Sequence, residues 1–216
     1  ARSEELLEGV GEACREKGSK VTVATGDVSV EDDVLRVVEQ GIADHGKIDV
    51  LINNAGIHDP RGISAEQFPS DAFNGIIAVD LVGAFYYARE CGRHMLENSY
   101  GAIVNIASIM GSGANELNVL GYTAAKGGIA AMTLTMARDL GNLGIRCMTI
   151  APSLFETGLT AGVTDEGAHN MTKDAAFPHR MGKPHEYATM AIAIIECPMM
   201  NGSTLRVDAG QRFAPR

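Results

Sequence analysis

Three residues in this sequence have the types and the spacing to move a proton to or from an oxygen: Ser108, Tyr122 and Lys126. Tyr122 and Lys126 are four apart, so on a helix of 3.6 residues per turn they share one face, one turn apart. A free phenol titrates near pH 10, and a neighbouring ammonium favours its ionised form. A serine hydroxyl brought beside that pair can hold the reacting oxygen by a hydrogen bond. Taken alone, Tyr-x-x-x-Lys is a weak pattern, because Lys126 would equally suit a solvated helix surface.

The elements that must bring these residues together are legible around them. The apolar run 102–107 reads as a strand with Ser108 at its C-terminal end. A loop of small residues follows, and a helix opens at about Tyr122. Some fifty residues upstream, a second apolar run, 48–52, leads into Asn53-Asn54-Ala55-Gly56. This places a conformationally permissive glycine at a strand C-terminus, where open α/β sheets bind ligands. Strand and helix patterns alternate elsewhere too. Helices are predicted at 4–17 (Ser3 as cap), 30–46 (Val34, Val37, Val38 and Ile42 on one face), 70–98, 122–140 and 186–195, and strands at 21–25, 146–151 and 204–208. The alternation predicts an α/β fold, a doubly wound (Rossmann) and mostly parallel sheet in a single domain over 1–216. The polar stretch 160–174 reads either as part of a substrate lid, at about 158–185, or as a solvated surface helix.

Composition narrows the function classes. A net charge of −9 argues against a nucleic-acid surface. Cys14, Cys91, Cys147 and Cys197 are far apart with no C-x-x-C pair, which favours reduced thiols and a cytoplasmic compartment. The six histidines have no metal-ligand spacing, so no metal is expected. No apolar run is long enough to span a membrane, and no signal-peptide pattern is present, although the chain starts without Met and an organellar leader stays open.

Asn53-Asn54-Ala55-Gly56, Ser108 and Tyr122-Thr123-Ala124-Ala125-Lys126 stand in the order and near the spacing of the short-chain dehydrogenase/reductase family, which the chain resembles over almost its whole length. The resemblance implies hydride transfer between a nicotinamide cofactor, NAD or NADP, and a secondary alcohol or ketone. Tyr122 would be the general base or acid, Lys126 its pKa-lowering partner and ribose ligand, and Ser108 the group that polarises the substrate oxygen. Asp80 stands where many members carry an Asn that completes a catalytic tetrad, a departure expected to alter the pH optimum. Asp27 and Val28 would meet the adenine end of the cofactor, though Asp27 equally suits a turn or a cap. Asn54, Ala55 and Gly56, together with Pro152, Phe155 and Thr157, would line its remainder. Ser153 replaces the glycine usual after that proline. The two long helices around Phe85 and after Tyr122 imply a homodimer or homotetramer.

The C-terminal third is similar to the type 2 3-hydroxyacyl-CoA dehydrogenase subgroup, through 151–157, 177–182 and Asn201-Gly202 before 205–208. That subgroup uses NAD, which is therefore preferred here; the matching segments belong to scaffold and lid more than to the substrate pocket, so a 3-hydroxyacyl-CoA, a 3-oxoacyl thioester and a general secondary alcohol all stay open as substrates. The family's glycine-rich dinucleotide turn is absent, which implies that the first two strands are missing and that these residues alone are inactive. Arg2 could meet a 2′-phosphate. The alternative reading is a catalytically silent dinucleotide-fold subunit or scaffold, against which the joint presence of Ser108, Tyr122 and Lys126 argues.

Overall fold

The computed structural model describes residues 1–112 and 118–212; the middle of the loop predicted between Ser108 and Tyr122 lies outside them. Four strands form one sheet in the order β1 (Val50–Asn53), β2 (Gly101–Ile106), β3 (Ile145–Pro152) and β4 (Thr204–Val207). Every pairing is parallel, with Asn53 opposite Asn105, Asn105 opposite Thr149, and Pro152 opposite Val207. All strand C-termini therefore open at one edge, and each crossover must be made by helices. These are α1 (Glu4–Arg15), α2 (Glu31–His45), α3 (Ser70–Ile76), α4 (Gly83–Glu97), α5 (Leu120–Gly141), α6 (Asp165–Thr172) and α7 (Pro184–Glu196).

Alternation along the buried strands divides the core between two faces. Ile103, Ile145 and Cys147 point to the side where Val34 and Val38 of α2, Ala88, Cys91 and Met95 of α4, and Ala137 of α5 pack. Val104, Ile106, Met148 and Ile150 point the other way, onto Ala191 and Ile194 of α7. On α5 the buried residues other than Lys126 (Gly121, Ala125, Ile129, Thr133 and Ala137) recur every fourth position, which gives the helix one narrow inward face. Polar ties reinforce the layers. Asn53 donates to Asn105 (2.8 Å) and to the Ala84 carbonyl (2.9 Å), and the Thr133 and Thr149 hydroxyls meet at 2.5 Å. Arg146 donates to the carbonyls of Ile194 and Ile195, which closes the C-terminus of α7.

The structure differs from the sequence reading at several places. The segment 21–25 is in no strand: β1, on the outer edge of the sheet, pairs only with β2 among the described residues, and an extended run without a ladder partner is not sheet. The helix expected over 70–98 is interrupted by a π-helical turn, Ile77–Val82, that carries Asp80. Within 160–174 the reading as a surface helix is met: a short, mostly exposed helix, α6, is capped by Thr164, which accepts the Gly167 N–H. No helix among the described residues is long and apolar enough to cross a membrane.

Candidate active site

The ladder between β2 and β3 runs past the end of β2: the Ala107 N–H donates to the Ile150 carbonyl and the Ile109 N–H to that of Pro152, both at 2.9 Å. Ser108 is thus held between two rungs, almost fully buried, and its Oγ accepts the Met110 N–H at 3.1 Å. Tyr122 stands in the first turn of α5, near enough to Ser108 for the serine side chain to favour the ionised phenol. One turn on, the Lys126 Nζ lies 5.6 Å from the centre of the Tyr122 ring and donates to the Ile106 carbonyl at 3.0 Å.

Asp80 completes the cluster from the opposite side. Its carboxyl is fully buried; Oδ1 accepts the Ile57 N–H at 2.7 Å and Oδ2 lies 3.3 Å from the Lys126 Nζ. Gly56 is required at this contact: a Cβ there would stand 2.9 Å from the Asp80 Oδ2 and 3.0 Å from the Lys126 Nζ. The π-helical turn supplies the aim of Asp80, because widening the helix changes the side-chain register locally. His58, which the sequence did not single out, faces Tyr122 edge-on with ring centres 6.5 Å apart.

Burial governs the protonation equilibria. It raises the Asp80 pKa, a push that Lys126 and the Ile57 N–H oppose, and it lowers that of Lys126, against the pull of Asp80. The Tyr122 phenol is raised, chiefly by burial and further by the Asp80 charge, while the hydrogen bond from Ser108 works the other way. In the structure the carboxylate beside the ammonium counters its charge, and Ser108 is the group that favours the phenolate.

The residues assigned to a cofactor fall in three places. Val28, Asn54 and Ala55 line a cleft of about 180 Å³, floored by Gly83, where a Cβ would stand 2.8 Å from the Val28 carbonyl oxygen. Asp27 is folded onto its own turn: its Oδ1 accepts from the Ser29 N–H and hydroxyl, and Arg2 lies 3.8 Å from Oδ2. Pro152 ends β3 beside the Ser108 turn. The Phe155 ring packs edge-on against Tyr187 and over Gly182, and Thr157 caps the 3-10 turn Gly158–Thr160. Thr157 also borders a cavity of about 440 Å³ under 160–181, shared with His169, His179 and Arg180, which none of Ser108, Tyr122 or Lys126 lines.

Comparison with known proteins is consistent across the chain. A family description, Enoyl-(Acyl carrier protein) reductase, matches residues 1–212. The chain is 35% identical to a human protein named 3-hydroxyacyl-CoA dehydrogenase type-2, over 95% of its own length and 82% of the relative's. The Drosophila melanogaster protein of the same name is 32% identical over 94% of this chain and 84% of the relative. An oxidoreductase of Bacillus subtilis, YxbG, described as uncharacterized, is 35% identical over 96% of this chain and 78% of the relative.

Proposed function

Because the chain belongs to the short-chain dehydrogenase/reductase family and is therefore an NAD(P)-dependent oxidoreductase, we propose that Tyr122 is its proton-transferring residue, with Ser108, Lys126 and Asp80 completing the site. The observation that carries this reading is the convergence, in one largely buried cluster, of a hydroxyl from the end of β2 and a phenol and ammonium from one face of α5.

A dinucleotide suits the groups present. An ammonium has three N–H donors; that of Lys126 donates to the Ile106 carbonyl and faces the Asp80 carboxylate at 3.3 Å as an ion pair, which leaves donor capacity that suits a ribose hydroxyl. Asn54, Ala55, Gly56 and Val28 border the approach on the β1 side, Pro152, Phe155 and Thr157 on the β3 side, and Asp27 the adenine end. Nicotinamide, when bound, supplies the acceptor or donor of the hydride. In oxidation the Tyr122 phenolate takes the proton of the substrate hydroxyl while Ser108 donates to the same oxygen; in reduction Tyr122 returns it. Lys126 stays fixed by its strand carbonyl and by Asp80, so its remaining donor is aimed before any ligand arrives.

The substrate is a secondary alcohol or ketone, and a 3-hydroxyacyl-CoA is the favoured class, by the name of the relatives. NAD is preferred over NADP: Arg2, the guanidinium that would suit a 2′-phosphate, lies 3.8 Å from the Asp27 carboxylate. Exposed Phe85 and Leu134, on α4 and α5, support a homodimer or homotetramer built on those helices, and four free thiols support a cytoplasmic setting. The experiment is NAD(P)H absorbance with a panel of 3-hydroxyacyl-CoAs and secondary alcohols, for the protein and for Tyr122→Phe. Loss of a general acid–base group predicts a fall of about 10²- to 10⁴-fold in kcat with NAD(P)H affinity retained. A Tyr122→Phe protein that turns over at the parent rate would overturn the assignment.

A further inference from the structure

The Ser108 turn is held from the far side of the sheet by a side chain that no reading above uses. Arg206 lies on β4, two strands from β2, and reaches across to donate from Nη1 to the Ser112 carbonyl at 2.6 Å. The Ser112 hydroxyl in turn donates to the carbonyls of Ser108 (2.8 Å) and Ile109 (3.1 Å). The guanidinium itself is fixed: Nε and Nη2 meet the Asp208 Oδ2 at 2.7 and 2.6 Å, and Nη2 also donates to the Gln211 carbonyl at 3.2 Å. Gln211 is almost completely buried, and its Nε2 donates to the Met171 carbonyl of α6 at 2.7 Å. A continuous hydrogen-bonded path thus joins α6, within the segment read as a substrate lid, to the backbone of Ser108.

We propose that Arg206 is a positioning residue: through Ser112 it aims the Ser108 hydroxyl at Tyr122, and through Gln211 it makes that aim depend on α6 being docked. The proposal rests on the reading of Ser108 as the substrate-polarising group. A planar guanidinium suits this place because its five donors are fixed in one fork, so binding Asp208 leaves Nη1 no freedom to turn from Ser112. A lysine could supply the charge but not the fork. Because Ser108 lowers the Tyr122 pKa, a misplaced Ser108 moves the phenol upward. Asp80, Lys126 and His58, the other charged or titratable groups around Tyr122, are untouched by a change at Arg206.

The test uses Arg206→Met, Arg206→Lys, Ser112→Ala and Gln211→Met, each alone and in a Ser108→Ala background. Arg206→Met should lower kcat about tenfold or more, leave the NAD(P)H dissociation constant unchanged, and move the acidic limb of the kcat/KM profile for alcohol oxidation to higher pH. Arg206→Lys should restore the activity only in part. Ser112→Ala should act in the same direction, and it decides the matter if Arg206→Met does not fold. Gln211→Met should also raise that limb, by less, because it cuts only the tie to α6. In the Ser108→Ala background the same changes should cause no further loss of kcat, since residues acting through one group are not additive. Folded Arg206→Met or Ser112→Ala protein with an unshifted limb, or losses that simply add to that of Ser108→Ala, would overturn the proposal. If Ser108→Ala itself leaves kcat unchanged, the reading of the site fails first, and the two failures are told apart.

Discussion

Gly111 and Gly127 face each other where the turn after Ser108 touches α5, and they make opposite predictions for the same substitution. Gly111 has φ +81°, and a Cβ added to it would lie 2.5 Å from the Gly127 nitrogen, 2.7 Å from the Thr123 carbonyl oxygen and 2.8 Å from the Gly127 Cα. All three atoms are backbone of the helix that carries Tyr122 and Lys126, so none can swing aside. Alanine at 111 adds a left-handed backbone penalty to overpacking against a rigid neighbour, together about 2–5 kcal/mol. For a chain of this size that is a fall in Tm of roughly 5–15 °C. A Cβ at Gly127 meets only the Gly111 carbonyl oxygen at 3.5 Å and Cα at 3.6 Å, ordinary contact distances. In the interior of α5, alanine there gains about 1 kcal/mol of helix propensity. Urea and thermal melts of Gly111→Ala and Gly127→Ala are the assay, with kcat alongside, because the strained turn also displaces Ser108 from Tyr122. Equal melting temperatures for the two variants, or a loss confined to Gly127→Ala, would refute the packing argument.

Asp80→Asn removes a charge that raises the Tyr122 pKa, so the acidic limb of the kcat/KM profile for alcohol oxidation should move to lower pH. A profile that does not move rules out the carboxylate as an influence on the phenol. Burial pushes the thiols of Cys91 and Cys147 up to about 12, whereas Cys14 and Cys197 are partly accessible. Iodoacetamide at pH 8 followed by peptide mapping should therefore modify Cys14 and Cys197 first, and Cys91 and Cys147 only as the chain unfolds; native Cys147 reacting as fast as Cys14 contradicts the packing described.

What the sequence made legible is what depends on local period. The four-residue spacing of Tyr122 and Lys126 needs only a helix to become one face, and a helix is what α5 is. Ser108 at the end of an apolar run needs only the parallel sheet to come out at the ligand edge. Ser3 as the cap of α1 follows from its type and the two glutamates after it. Properties set by distant partners were not legible. Nothing in 77–82 announces a π-helical turn, since its letters suit an ordinary helix, and that turn is what aims Asp80. The extended reading of 21–25 matched its composition, but a strand is a relation between two segments. Arg206 and Ser112 are 94 positions apart, and neither residue type marks the other.

That pair also shows why the site must be read as electrostatics and not as a stabilising contact. At 3.3 Å and an effective dielectric of 20, the attraction between Asp80 and Lys126 is about 5 kcal/mol. Removing two ions from water costs several kcal/mol each, so the pair does little more than break even. The opposed pKa displacements of the two groups, both led by burial, have the same origin. A core seeking only stability would place apolar groups here, as it does one turn away at Ile129. What the pair does achieve is directional. It pins a buried ammonium between Asp80 and the end of β2, beside the Tyr122 ring. The glycine of Asn53-Asn54-Ala55-Gly56 leaves the space that this requires. A motif first noticed for its backbone freedom thus has a second physical reason to carry no side chain.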